Sequence, residues 1–290
     1  HIGSTKTGSS AFQRFCFNNR RRLGDLEVLY PSVGTASNAH HLLAAALHPT
    51  ARKLHRSEFP VDDPDVCAHH FSQMWSDLKN EAQQSGAKAV LLSSEYLWGV
   101  FPHTMYNRWR EASQWFSSVT VFAVLCRPDD WMPSWYVQTV KGGEKRDFHK
   151  WYETITRASR SPSNFLKVLH GWEKVVGRDG VQVLPYDRLA EAPDFCKALL
   201  AAIIKPRTNA VLSRFEPLVG PENASPHAAV VDLLLMGNRS NIPPKDQQTL
   251  RLALLSLGES WQPETVNQIL TAADREAIRN DHEEQLRAIW

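Results

Sequence analysis

Along the chain, short unbroken apolar runs alternate with longer stretches in which apolar residues recur every three or four positions. The runs AKAVLLSS (87–94), VTVFAVLC (119–126) and VQVLPY (181–186) are rich in branched residues and predict buried parallel strands, with EVLYP (27–31) a weaker fourth. Helical spacing covers 9–22, 38–48, 65–85, 104–116, 128–140 and 162–177. Strand–helix alternation of this kind predicts right-handed βαβ crossovers and an α/β sheet covered on both faces. The strand expected before the opening loop is read as cut to its last residues, or as beginning in residues removed before His1. Beyond 186 the pattern turns helical, with a loop at 217–226 and helices near 226–237, 244–257 and 264–289.

Composition narrows the class. A chain of 290 residues can bury one large core, and 42% hydrophobic with 22% charged residues is the balance of an ordinary globular protein. A single domain over 1–290 is expected. The four cysteines, Cys16, Cys67, Cys126 and Cys196, are scattered without a CxxC pair, so neither a zinc site nor a disulfide framework is signalled, and a cytoplasmic location is expected. There is no apolar run of membrane-spanning length and no leader pattern, although a chain beginning with His leaves room for residues removed before it. A net charge of +2 gives no general attraction to nucleic acid, and Arg20-Arg21-Arg22 reads as a solvated helix end. No pattern along the chain specifies an oligomeric state.

Two segments carry candidate chemistry. HIGSTKTGSSAFQ (1–13) places glycine, small hydroxyl residues and a lysine directly before a helix, where backbone N–H groups and the helix dipole favour an anion. Gly3 and Gly8 have the spacing of an ATP-binding loop, but Ser9 stands where its lysine should follow, and Lys6 lies two residues before Gly8. A nucleotide triphosphatase or kinase with a displaced lysine is one reading, a noncatalytic nucleotide-binding protein another, and an ordinary turn a third. CRPDDWMPSWYVQ (126–138) follows the clearest strand, with Arg127 at its carboxyl end, Pro128 suited to a first helical turn and Ser134 seven residues after the arginine. A guanidinium fork with a hydroxyl suits a phosphate. Equally, Arg127 can pair with Asp129 or Asp130 while Ser134 serves its own helix.

Together the segments resemble the sulfotransferases that use 3′-phosphoadenosine 5′-phosphosulfate (PAPS). STKTGSS (4–10) is similar to that family's PKSGTT or PKTGTT loop, with the lysine in the family's position, and Arg127 with Ser134 matches its strand-end Arg and Ser. RPDDWMPSWY is similar to bacterial members. VLPYDRLAEAPD (183–194) and NASPHAAVVDLLLMGNRSN (223–241) extend the resemblance over most of the chain. Thr5 replaces the usual proline, Ser9-Ser10 replaces the threonine pair, and Ala11 stands where animal members often carry an adenine-stacking Trp. The resemblance implies a three-layer, P-loop-like fold with a central, mainly parallel sheet and a helical C-terminal part. It implies PAPS as sulfuryl donor, PAP as product, no metal, and a carbohydrate or small-metabolite acceptor bearing a hydroxyl or amine. Lys6 would contact the oxygen bridging phosphate and sulfate, Thr7, Gly8, Ser9 and Ser10 would hold the 5′-phosphate, and Arg127 and Ser134 the 3′-phosphate.

An acceptor hydroxyl needs a general base within hydrogen-bond reach. Glu95, directly after the 87–94 strand, is the first candidate, and its alternative is to cap the following turn or pair with an arginine. His103 and the pair His40-His41 are the next candidates, each also readable as a packing or surface histidine. Trp98, Phe101, Tyr106 and Trp109 can line an acceptor pocket but fit a core better. GGEKRDFHKWYE (142–153) reads as a solvated loop or a mobile cover.

Overall fold

The computed structural model describes residues 1–4, 6–60, 63–205, 209–218, 226–259 and 269–290. The chain is α/β, and every strand pair is parallel. It begins with β1 (Ile2–Gly3), α1 (Ser9–Asn18), α2 (Arg20–Gly24), β2 (Val28–Leu29), α3 (His41–Ala45), α4 (Pro49–Arg52), α5 (Pro64–Ser85) and β3 (Ala89–Val90). A 3₁₀ turn at Glu95–Leu97 leads to α6 (His103–Ser113), β4 (Val121–Leu125), α7 (Pro128–Lys141), α8 (Phe148–Arg157) and α9 (Phe165–Val176). Then come β5 (Val181–Pro185), α10 (Tyr186–Ala190), α11 (Phe195–Ile204), α12 (Ala228–Arg239), α13 (Pro244–Glu259) and α14 (Ala272–Ile289). No described helix is long and apolar enough to cross a membrane. The expected loop at 217–226 and the start of the 264–289 helix fall largely outside the described residues.

The chain divides into two compact units, His1–Leu125 with Phe165–Val219, and Cys126–Asn164 with Gly220–Trp290. In the first, strands pair in the order β1-β4-β5 and, separately, β2-β3. All of β4 is buried, which is why VFAVL reads as an unbroken apolar run. The 87–94 run is strand-paired only at its start, because Leu91 N–H still bonds to Leu29 O at 2.8 Å while Ser94 N–H turns to His1 O at 3.3 Å. Its residues change neighbours midway. The expected helix at 9–22 is broken at Asn19, whose fully buried amide donates to Phe15 O (3.0 Å) and Glu216 O (3.1 Å) and accepts Glu216 N–H (2.9 Å). That side chain ends α1 and anchors the chain at 216. The helix expected at 38–48 is shorter, His41–Ala45, with Pro49 opening α4.

Helix α5 follows its sequence signals closely. Asp63 accepts from Asp65 and Val66 N–H groups, Pro64 occupies the first turn, and Gly86 ends it in the left-handed conformation, φ 65°. Cys67, Phe71, Trp75, Leu78 and Ala82 form its buried face. Trp98, Phe101, Tyr106 and Trp109 are also buried, 6–8% exposed, and pack as core.

The second unit is helical. Asn238 of α12 donates to Val140 O (2.8 Å) and Glu144 O (2.9 Å), joining α12 to the end of α7. The 142–153 stretch is a turn followed by helix rather than a loop: Glu144 collects Lys145 N–H, Arg146 N–H and the Arg146 guanidinium, and Phe148 and Trp151 are buried in α8. Asn19→Ala should destabilise the first unit by about 2 kcal/mol, because it strands buried backbone groups at both ends of the link. Urea denaturation measures this, and an unchanged midpoint contradicts it.

Candidate functional site

The segment after β1 forms a closed loop. Ser4 N–H bonds to Val124 O at 3.3 Å, Thr7 Oγ1 donates to Ser4 O at 2.6 Å, and Thr7 Oγ1 lies 3.5 Å from Ser9 Oγ. Thr7 and Ser9 are buried and Ser10 is exposed. Lys6 and Gly8 have φ of 68° and 71°, the left-handed region that non-glycine residues seldom adopt. A Cβ on Gly8 would stand 2.5 Å from the Phe195 ring, so Gly8 is favoured by space as well as by its positive φ, and one on Gly3 would stand 2.2 Å from Ser9 Oγ and displace that hydroxyl. Thr5 itself lies outside the described residues.

The loop feeds α1 in a way that suits an anion. Gly8 is its cap residue and supplies no side-chain acceptor, and the first turn carries no acidic residue. Burial lowers the Lys6 ammonium below its ordinary range. Among the described residues none pairs with that ammonium. Ser4 Oγ, buried at 1% exposure, has no hydrogen-bond partner among the described residues either.

Glu95 stands within the same unit, at the start of the 3₁₀ turn. Gln13 Nε2 donates to its Oε2 at 2.9 Å, and His41 Nε2 lies 3.8 Å from its Oε1. Ser9 and Gln13 are both buried and lie four positions, about one helical turn and roughly 6 Å of rise, apart on α1, so the helix that carries the loop's last buried hydroxyl also carries the amide that holds the carboxylate. His41 Nδ1 bonds Ser94 Oγ at 2.9 Å and its ring stacks on Tyr96 at 4.2 Å. Burial pushes the His41 pKa down, and the Glu95 charge opposes that shift. Ser94, through Tyr96 N–H, caps the turn rather than Glu95, and among the described residues the recorded side-chain partners of Glu95 are Gln13 and His41, with no arginine.

The two adjacent histidines differ. His40 Nδ1 accepts Ser93 N–H at 3.1 Å, which leaves its proton on Nε2, facing Pro31 O at 3.2 Å. Both nitrogens are used, and burial pushes the pKa down to about 3. His40 is structural, whereas His41 faces the carboxylate. His103 is exposed in the first turn of α6.

In the second unit, Arg127 precedes α7 and pairs through Nε (3.0 Å) and Nη2 with Asp130 Oδ2. Asp130 also accepts from Arg275 at 2.9 Å. Burial would raise the Asp130 carboxyl, but the two guanidinium groups outweigh it and hold it below its ordinary value. Buried Asp129 is paired with Arg279 at 2.8 Å. Pro133 offers no N–H to the carbonyl of Asp129, and Arg275 Nη1 fills that vacancy at 3.0 Å. Ser134 is half-buried, seven residues after Arg127 and hence on the same side of α7.

Gln13, Arg275 and Arg279 were not among the residues expected from the sequence. Gln13 lies 82 positions from Glu95 and Arg275 lies 145 from Asp130, and no motif announces either partner. No protein-family model and no curated protein sequence matches the chain.

His40 gives a pH dependence with a definite sign. Its folded pKa is depressed from the ordinary ~6.5, so below that value the unfolded chain binds the extra proton and stability falls as pH drops toward about 3. The expected slope from this residue is about 1.4 kcal/mol per pH unit. Urea midpoints at pH 7, 6 and 5 should decline less steeply in His40→Gln, and equal slopes would remove His40 as the cause.

Proposed function

We propose that the protein is a sulfotransferase that moves the sulfuryl group of PAPS to a hydroxyl or amine of a carbohydrate or small-metabolite acceptor. One observation carries the reading. β1 and β4 are parallel neighbours in register, Ile2 with Ala123 and Gly3 with Val124, so the chain leaves both strands at the same edge of the sheet. One strand continues into the Lys6 loop and the other, two residues later, into Arg127. Ligands of open α/β sheets bind beyond such carboxyl ends, and a donor with phosphates at two ribose positions needs two anion-binding elements. The three-layer, P-loop-like architecture belongs to the same proposal, as does action in the cytoplasm.

In this scheme Thr7, Gly8, Ser9 and Ser10 present N–H and hydroxyl groups to the 5′-phosphate at the start of α1. The Lys6 ammonium, partly desolvated and without a partner among the described residues, stabilises charge on the departing phosphate oxygen. Arg127 and Ser134 hold the 3′-phosphate. Arg127 is largely exposed, 62%, so its contact with Asp130 contributes little and is readily exchanged, and Arg275 keeps Asp130 compensated when Arg127 turns away. Glu95 takes the acceptor proton as the acceptor oxygen or nitrogen bonds to sulfur and the sulfur–oxygen bond to PAP breaks. Gln13 fixes one carboxylate oxygen, and His41 faces the other.

Calorimetric titration with PAP should show binding, weakened about ten- to a hundredfold in Arg127→Ala, the scale of a hydrogen bond to a charged group. Absence of PAP binding by the unaltered protein would sink the proposal. With labelled PAPS and pooled glycan or metabolite acceptors, Lys6→Ala should abolish transfer while retaining nucleotide affinity. Glu95→Gln should lower turnover at least about a hundredfold. Near-normal turnover there would move the base role to His41 or His103.

A further inference from the structure

Five charged side chains of the second unit form one line of alternating sign. Arg279 Nη1 bonds Asp129 Oδ2 at 2.8 Å, and Asp129 Oδ2 lies 3.7 Å from Arg275 Nη1. Arg275 Nη1 bonds Asp130 Oδ1 at 2.9 Å, and Asp130 Oδ2 takes Arg127 through Nε (3.0 Å) and Nη2. The acids belong to the first turn of α7, whereas Arg275 and Arg279 lie one turn apart on α14. The ends of the line are open, with Arg279 49% and Arg127 62% exposed, while Asp129 is 2% and Arg275 17% exposed.

The two carboxylates share their cations unequally. Asp129 is bonded through Oδ2 alone, and its buried Oδ1 has no hydrogen-bond partner among the described residues. So deep a carboxylate draws on every cation beside it, and Arg279 supplies the close contact that leaves Arg275 to Asp130. Asp130 divides its oxygens, Oδ1 to Arg275 and Oδ2 to Arg127. With Arg275 in place, Asp130 keeps a compensating guanidinium after Arg127 leaves. Without it, the departure of Arg127 strands a carboxylate that is only 24% exposed, which costs far more than breaking an exposed ion pair.

We propose that Arg275, kept on Asp130 by the Arg279–Asp129 pair, is a positioning residue that makes Arg127 available to a phosphate. It touches no ligand and acts by lowering the cost of breaking the Asp130–Arg127 contact. The inference rests on the reading of Arg127 as a phosphate-binding residue, but its first link, from Arg275 through Asp130 to Arg127, exists without a nucleotide. A cation near an anion site also attracts the anion directly, and that attraction does not pass through Asp130. Positioning does, so the two effects separate when Asp130 loses its charge.

The test uses four full-length proteins: unaltered, Arg275→Ala, Asp130→Asn and the double variant. In the absence of nucleotide, solvent exchange of the Arg127 Nε–H, followed by NMR, should slow at least about fivefold in Arg275→Ala, because Asp130 then holds that group more tightly. In calorimetric titration with PAP, Arg275→Ala should weaken binding about tenfold when Asp130 is present, and less than about twofold when Asp130→Asn has already released Arg127 from this carboxylate. Equal losses in the two backgrounds would identify a general field or damage to α7 and overturn the proposal. Unchanged or faster Nε–H exchange in Arg275→Ala would overturn it too. If the unaltered protein binds no PAP, the nucleotide reading fails, and the exchange rates alone decide whether Arg275 positions Arg127.

Discussion

The two-residue pairing of β1 with β4 is the constraint on which the candidate site rests. It fixes Ser4 against Val124, and Thr7 then folds back onto Ser4 O to close the loop. The loop's left-handed exit at Gly8 sets the direction of α1, which carries Ser9 and Gln13 on one buried face. Gln13 holds Glu95, and Ser94 immediately before it bonds to His1 O at the start of β1. The circuit is therefore closed twice, once through the covalent chain and once through hydrogen bonds. A displacement of any member is resisted from both directions, which is the form of preorganisation that sulfuryl transfer by positioning would exploit.

Legibility in the sequence followed the range of the interactions. Helix α5 was readable because cap, first-turn proline, apolar spacing and terminal glycine all lie inside its own span. β4 was readable because burial on both faces writes an unbroken apolar run. The division of 87–94 between two neighbours was not, since it depends on which strands flank it. The same holds for the break at Asn19, whose partner is 197 positions away. At the site, the loop and Arg127 are local motifs and could be seen, and the Arg127–Asp130 pair is a helical neighbour that could be anticipated. The separation of His40 from His41 required the structure, because only packing assigns one imidazole to two backbone partners and the other to a carboxylate.

The two helix starts named by the sequence solve the same electrostatic problem differently. Both α1 and α7 begin at residues that provide no side-chain cap, and both have a cation nearby, Lys6 before one and Arg127 before the other. A cation at a helix amino end opposes the dipole, so each arrangement costs free energy unless negative charge is close. At α7 the charge is internal: Asp129 and Asp130 occupy the first turn and pair with Arg127, Arg275 and Arg279. At α1 the first turn holds no acid, the Lys6 ammonium is partly desolvated, and Ser4 Oγ is buried without a partner among the described residues. The helix that is uncompensated by its own residues is the one whose stability should respond most to an added anion. By that reasoning the Lys6 loop would be the primary anchor of the phosphorylated donor proposed above, and Arg127 would contribute by exchanging one carboxylate for a phosphate at little net cost.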